Sequence, residues 1–194
     1  FSPLSRKLKE AIGNNPMTML YRINAGAIPE DNWIQDLEIG GGRVLGEVCH
    51  FIDYLTYLNG SLPLKVSASV LPDASQLNDT LNILIHFENG SSGVVAYYSN
   101  GSKSMTKEYV EVFSVGMSAT LHDFKELKIF GKGKSKKKKL FNQNKGQKEM
   151  VNAFVNGLIT DGKAPISFAE IIAVTKASFK VIESIKRGGE QVKV

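Results

Sequence analysis

Between residues 64 and 141 the chain is a run of short alternating segments with no helix-length pattern among them. A doubly wound sheet needs a helix between successive strands, so this run points to hairpins and a mostly antiparallel sheet. Segments 64–70, 80–87, 93–99, 108–115, 118–122 and 126–130 read as strands, with 136–141 as an added edge strand. Glu88-Asn89-Gly90 reads as a hairpin turn. In 80–87, Leu81, Ile83, Ile85 and Phe87 share one face, and Thr80, Asn82, Leu84 and His86 share the other. The first face is expected to pack on helices. The second, to which Leu84 and Tyr97 are assigned, is semi-polar and is expected to act as a subunit interface.

Helical patterns flank the run. Residues 3–12 read as a short helix stopped by Gly13, and 17–25 as a strand. A helix is expected over 43–58, closed by Asn59-Gly60. Two more are expected over 146–160 and 168–187, the last led by the capping box Ser167 and Glu170. The fold class is therefore α+β: an open-faced, mostly antiparallel sheet with helices on one face.

Net charge is +5, which raises the question of a nucleic-acid partner. Six lysines, at 132, 134 and 136–139, account for it; without them the balance is 18 basic to 19 acidic. No aromatic interleaves with the run, so it reads as a solvated hairpin whose edge strand is protected by lysines, with no specific nucleic-acid partner. Cys49 is the lone cysteine. That excludes an intrachain disulfide and suits a reducing, cytoplasmic setting. No apolar run reaches 18 residues, so no membrane span is expected. The chain begins at Phe1 rather than Met and is expected to be a piece of something longer.

The segment richest in chemistry is 43–58. At 100° per residue, Arg43, Gly46, Glu47, His50, Asp53, Tyr54 and Tyr57 share one stripe, and nearly all the rest is apolar. Acid, imidazole and acid at i, i+3 and i+6 can tune one another, which suits acid–base chemistry. The same stripe also suits a buried helix with one polar edge in solvent. Gly46, in mid-helix, would leave room for a ligand one turn before His50. Gly40-Gly41-Gly42 reads as an anion cradle or as a flexible lead into the helix. His86 and His122 lie on presumed strands without ligand spacing, so no metal site is expected. Trp33 is expected to anchor the loop before the glycines or to wall a pocket. Cys49 is expected as a small core residue, and Asn78-Asp79 as turn chemistry.

Gly40-Gly41-Gly42 followed by Glu47, His50 and Asp53 resembles the C-terminal domain of the Gfo/Idh/MocA sugar-oxidoreductase family. Phe1-Ser2-Pro3, Tyr21 to Gly26, Phe154 to Ile159 and Pro165 resemble further family segments, so the likeness spans the chain. The stretch Gly46 to Asp53 is most similar to bi-domain oxidoreductases, which often serve surface-polysaccharide pathways. The resemblance implies a sheet-and-helix unit like the C-terminal domains of dihydrodipicolinate reductase and glyceraldehyde-phosphate dehydrogenase. It also implies that residues 1–194 form one substrate-binding and oligomerisation domain. The nucleotide-binding Rossmann domain and its lysine would lie outside this chain, which alone would be inactive. NAD or NADP would then be held mainly elsewhere, with Gly41 and Gly42 as contacts here. The substrate would be a sugar or nucleotide sugar, and the assembly a homodimer or larger oligomer built through the sheet face.

By the same resemblance His50 matches the family histidine that handles the hydroxyl proton. The family aspartate four residues earlier aligns with Gly46, so that acid is missing, and Glu47 is its nearest substitute. Asn24 and Arg22, on a strand that lies near the substrate in the family, are the implied substrate contacts. Trp33, from its place in the loop, and Asp53, which could cap or tune His50 or pair with Arg22 or Arg43, are added as candidate substrate contacts. The missing acid leaves open a degenerate, non-catalytic member that binds a sugar or holds a dimer together.

Overall fold

The computed structural model describes residues 1–29, 31–73, 77–160 and 162–194. The helices are α1 (Pro3–Ile12), α2 (Cys49–Asn59), α3 (Gln147–Thr160) and α4 (Phe168–Lys186). The strands are β1 (Thr18–Asn24), β2 (Pro63–Val70), β3 (Thr80–Phe87), β4 (Ser92–Tyr98), β5 (Glu108–Ser114), β6 (Met117–His122), β7 (Glu126–Gly131), β8 (Lys134–Lys139) and β9 (Val192–Lys193). Among the described residues they form one sheet in the order β8-β7-β6-β5-β1-β4-β3-β2-β9. Only β1 and β4 pair in parallel; every other neighbour is antiparallel.

Alternation sets which side is covered. Tyr21 and Ile23 of β1, Leu81, Ile83 and Ile85 of β3, and Val110 and Val112 of β5 are all buried on one face. Three helices cover that face: α1 over β6 and β7, α2 over β1 and β4, α4 over β2. Each presents an apolar stripe, such as Leu4, Leu8 and Ile12 of α1 or Val174, Ala177 and Val181 of α4. The other face stays open, with Leu84, Phe113 and Phe130 exposed. This is the expected open-faced α+β layer. Helix α3 has no buried residue.

The Ser167 hydroxyl accepts from the Glu170 N–H at 3.1 Å, capping α4 as expected. Two findings differ from the sequence reading. Tyr97 lies on the helix-covered face and is fully buried; it is Tyr98 that shares the open face, donating to Asn82 at 2.8 Å. The lysine run forms β8 at 134–139 rather than 136–141, exposed throughout, with Lys137 2.9 Å from Glu126. The short β9 adds the opposite edge, which periodicity over two residues could not announce.

Candidate active site

The expected helix over 43–58 is not one α-helix. Residues Val44–Val48 form a π turn, and α2 begins only at Cys49. A π turn winds more loosely than 100° per residue, so the stripe drawn on a regular helix does not hold through its first turn. Arg43 is the clearest departure. Expected on the polar stripe, it is only 2% exposed and lies beneath the site. It donates to the Gly26 carbonyl at 2.9 Å and pairs with Asp79 at 3.5 Å and Glu47 at 3.2 Å. Asp79 is thus part of a buried network rather than turn chemistry; it also accepts from Ser99 at 2.6 Å.

Glu47 sits in the widened turn. Its second oxygen accepts from the Tyr97 hydroxyl at 2.8 Å. Two donors therefore hold the carboxylate in one place, and 24% of its side chain stays exposed. Burial and the neighbouring Glu47 and Asp79 carboxylates raise the Tyr97 hydroxyl well above the usual tyrosine range, with burial dominant and Arg43 pulling the other way.

Gly46 does not leave room for a ligand. A Cβ built there would meet Ile34 Cδ1 at 2.5 Å, so the notch is filled by Ile34. Ile34 belongs to a single 3-10 turn, Trp33–Gln35, started by the Asn32 side chain. Gly40 lies equally close beneath the Ile34 backbone. Two glycines thus let one loop residue seat against the helix. Gly41 and Gly42 take φ of +71° and +77°, and a Cβ on them would meet Leu45 and Leu37. Their open sides are occupied by apolar side chains, which is not the empty cradle that a pyrophosphate needs. Trp33 is 64% exposed and so does not anchor the loop.

Glu47, His50 and Asp53 line one cavity of about 610 Å³. Tyr54, Tyr57 and Phe51 continue its helical wall, and Pro165, Ile166 and Glu170 close it beside α4. The strand side brings Tyr21, Lys107, Glu108, Phe124 and Lys145; the N-terminal segment brings Ser2, Ser5 and Arg6. Burial pushes the Asp53 carboxyl above its usual range, and His50 pulls it partly back. Tyr54 bonds Ser5 at 2.9 Å, and burial raises its hydroxyl too. Cys49 is half-buried rather than a core residue, and burial raises its thiol.

The other expected contacts lie elsewhere. Asn24 donates to the Ser102 and Met105 carbonyls at 2.7 and 3.1 Å, and Arg22 to the Thr106 carbonyl at 2.7 Å. Both fasten the loop before β5, and neither they nor Trp33 line the cavity. Tyr21, Glu108, Lys145 and Glu170 are cavity residues that the sequence does not mark as such. They come from β1, β5, the segment before α3, and α4, and only the folded chain assembles them. Among the described residues no three His, Cys, Asp or Glu side chains are placed so that they could together hold a metal ion.

The cavity thus sets an exposed imidazole beside one fixed and one partly desolvated carboxylate, a set able to move a proton to or from a bound hydroxyl. The GFO/IDH/MocA C-terminal domain family model matches residues 15–120. No curated protein matches in sequence. Among solved structures, UDP-N-acetylglucosamine 3-dehydrogenase from Acidithiobacillus ferrooxidans superposes with a TM-score of 0.79 at 16% identity, over 96% of this chain and 59% of its own. Levoglucosan dehydrogenase in complex with NADH gives 0.78 at 20%, over 98% and 62%. The aldose-aldose oxidoreductase of Caulobacter crescentus, complexed with glycerol, gives 0.73 at 19%, over 98% and 59%. The chain spans about three fifths of the length of these proteins. With this fold and a family match over more than half of its residues, the chain belongs to the GFO/IDH/MocA C-terminal domain family.

Proposed function

We propose that this domain supplies the substrate-binding and acid–base residues of an NAD(P)-dependent sugar or nucleotide-sugar dehydrogenase. The observation that carries the reading is the meeting of Glu47, His50 and Asp53 on one cavity wall. His50 takes the proton from the sugar hydroxyl that becomes a carbonyl. Glu47, fixed by Arg43 and Tyr97, stands in for the carboxylate that Gly46 cannot carry. Burial raises the Asp53 carboxyl, and His50 sits near enough to draw it partly back toward its charged form. Asn24, Arg22 and Trp33 act from the periphery of the site, Asn24 and Arg22 by shaping the loop before β5.

NAD or NADP, when bound, would accept the hydride. The glycine turn offers no pyrophosphate cradle, so the reading assigns the dinucleotide mainly to a domain outside residues 1–194, with Gly41 and Gly42 as backbone neighbours. This chain alone is then inactive. The open sheet face, with Leu84, Phe113 and Phe130 exposed, is the surface proposed for a homodimer. No described helix is long and apolar enough to cross a membrane. A cytoplasmic enzyme of surface-polysaccharide biosynthesis fits the family resemblance.

The test uses the protein carrying its nucleotide-binding domain, assayed for NAD(P) reduction against sugars and nucleotide sugars. His50→Gln should lower kcat by about 100-fold or more, since positioned acid–base groups contribute on that order. Glu47→Gln should lower it with binding retained. Unchanged turnover in both would favour the second reading, a non-catalytic sugar-binding module. The observation behind that reading is that Ile34 fills the place of the family carboxylate at Gly46.

A further inference from the structure

The cavity that holds His50 also contains a charged group that the acid–base reading does not use. Glu108 opens β5 with its side chain only 5% exposed. One of its oxygens accepts from the Tyr21 hydroxyl at 2.9 Å, the other from the Lys145 ammonium at 2.6 Å. A buried ion pair adds little net stability, because desolvation offsets the attraction. Stability alone therefore does not account for this one.

The position of Lys145 is fixed by its surroundings. The segment before α3 is fastened to the β6–β7 turn by three bonds. Leu140 N–H donates to the Lys125 carbonyl and the Gln143 amide to the Asp123 carbonyl, each at 2.8 Å; Asn144 N–H donates to the Phe124 carbonyl at 3.4 Å. That turn is strained: Asp123 and Phe124 have φ of +44° and +52°. A left-handed backbone is unfavourable for a phenylalanine, whose Cβ crowds the following carbonyl. The strain sets the Phe124 ring edge-on to Tyr54 at 5.5 Å, with the Lys145 ammonium 5.8 Å from its centre. Strain of this kind is retained where the surroundings over-determine it, commonly at ligand clamps.

The ammonium has three donors and spends one on Glu108. Its side chain remains 35% exposed and lines the cavity. Lys107, next to Glu108, lines it too and has no carboxylate at ion-pair distance among the described residues. The strand wall thus carries one lysine, Lys145, paired with a carboxylate whose oxygens are both occupied, and a second, Lys107, without such a pairing among the described residues. Asp53 and Glu170, which make no ion pair among the described residues, come from the helical side.

We propose that Lys145 and Lys107 bind an anionic group on the sugar, a carboxylate or a phosphate ester, and so present its carbinol to His50. This rests on the sugar-binding reading above. It is tested by titrating the 194-residue chain with glucose, glucuronate and glucose 1-phosphate. At least one anionic sugar should bind about tenfold or more tighter than glucose, a difference of about 1.4 kcal/mol. The tighter anion tells carboxylate from phosphate. The preference should shrink with salt, weaken in Lys107→Met, and vanish in Lys145→Met combined with Glu108→Gln, which leaves no buried charge alone. His50→Gln should keep it. Equal binding of glucose and both anions, or a preference that survives in both lysine variants, overturns the proposal and leaves the sugar reading standing. Binding of none of the three overturns both.

Discussion

Tyr97 and Glu47, fifty positions apart, are joined by a 2.8 Å hydrogen bond from the tyrosine hydroxyl to the carboxylate. The bond links β4 to the π turn and aims Glu47 at the cavity. Tyr97→Phe removes one donor while Arg43 and water keep the carboxylate satisfied. The expected cost is about 1 kcal/mol, that of one net hydrogen bond. Denaturant melts would show it as a lower midpoint at unchanged slope. A loss several times larger would mean that the carboxylate has no other support.

Arg43 carries more. It is buried and holds both Glu47 and Asp79. Arg43→Met leaves two carboxylates without their cation, and breaking a buried pair this way costs about 3–5 kcal/mol. Chemical denaturation should show a loss well above that of Tyr97→Phe. Combining Arg43→Met with Asp79→Asn should recover part of it. Equal stability of the single and double variants would contradict the network.

Gly46 gives a double-variant test. A Cβ there would sit 2.5 Å from Ile34 Cδ1 and 2.8 Å from Cγ1. Gly46→Ala should destabilise by about 1–3 kcal/mol through overpacking. Ile34→Val removes the nearest atom, so the pair should be less destabilised than the sum of its members. Additive losses would place the strain elsewhere.

This site also marks the boundary of what periodicity could convey. The strands of 80–87 and 126–130, the latter one residue longer in the structure, the helix of 3–12 and the Ser167 cap were legible because burial follows spacings of 2 and 3.6, and caps follow local chemistry. His50 and Asp53 were legible because they share a regular stretch of α2. The π turn was not, since nothing in Val44–Val48 marks a change of pitch. Alternation misplaces Tyr97 because residues 94–98 are all apolar or aromatic, so the sequence of β4 carries no polar position to set its phase. Glu108 and Lys145 were silent because their meaning lies in a contact 37 residues long in sequence.

Asp53 predicts a pH dependence. Burial raises its folded-state pKa above the ordinary 3.8. The folded chain then holds the proton more readily than the unfolded chain does. Its stabilising effect is complete below the unfolded value and is lost as pH rises through the folded one. Asp53→Asn removes that loss. The variant should melt higher than the parent at about pH 7, with the difference closing by about pH 3. A parent that is the more stable at neutral pH would show that attraction to His50 outweighs desolvation.

The turn between β5 and β6 does not line the cavity. Val115 and Gly116 connect β5 to β6 with φ of +41° and +72°. Two positive φ values make this the turn that Asn-Gly favours, and a β-branched residue is strained there. Val115 is 77% exposed, so its side chain contributes little packing to set against the strain. Val115→Asn should therefore stabilise by about 1 kcal/mol, the scale of a left-handed penalty removed. Thermal melting should rise by a few degrees without change in sugar binding, because the turn does not line the cavity. No rise would mean that the valine on this exposed turn is covered by another surface in solution, and cross-linking at position 115 would then identify that surface.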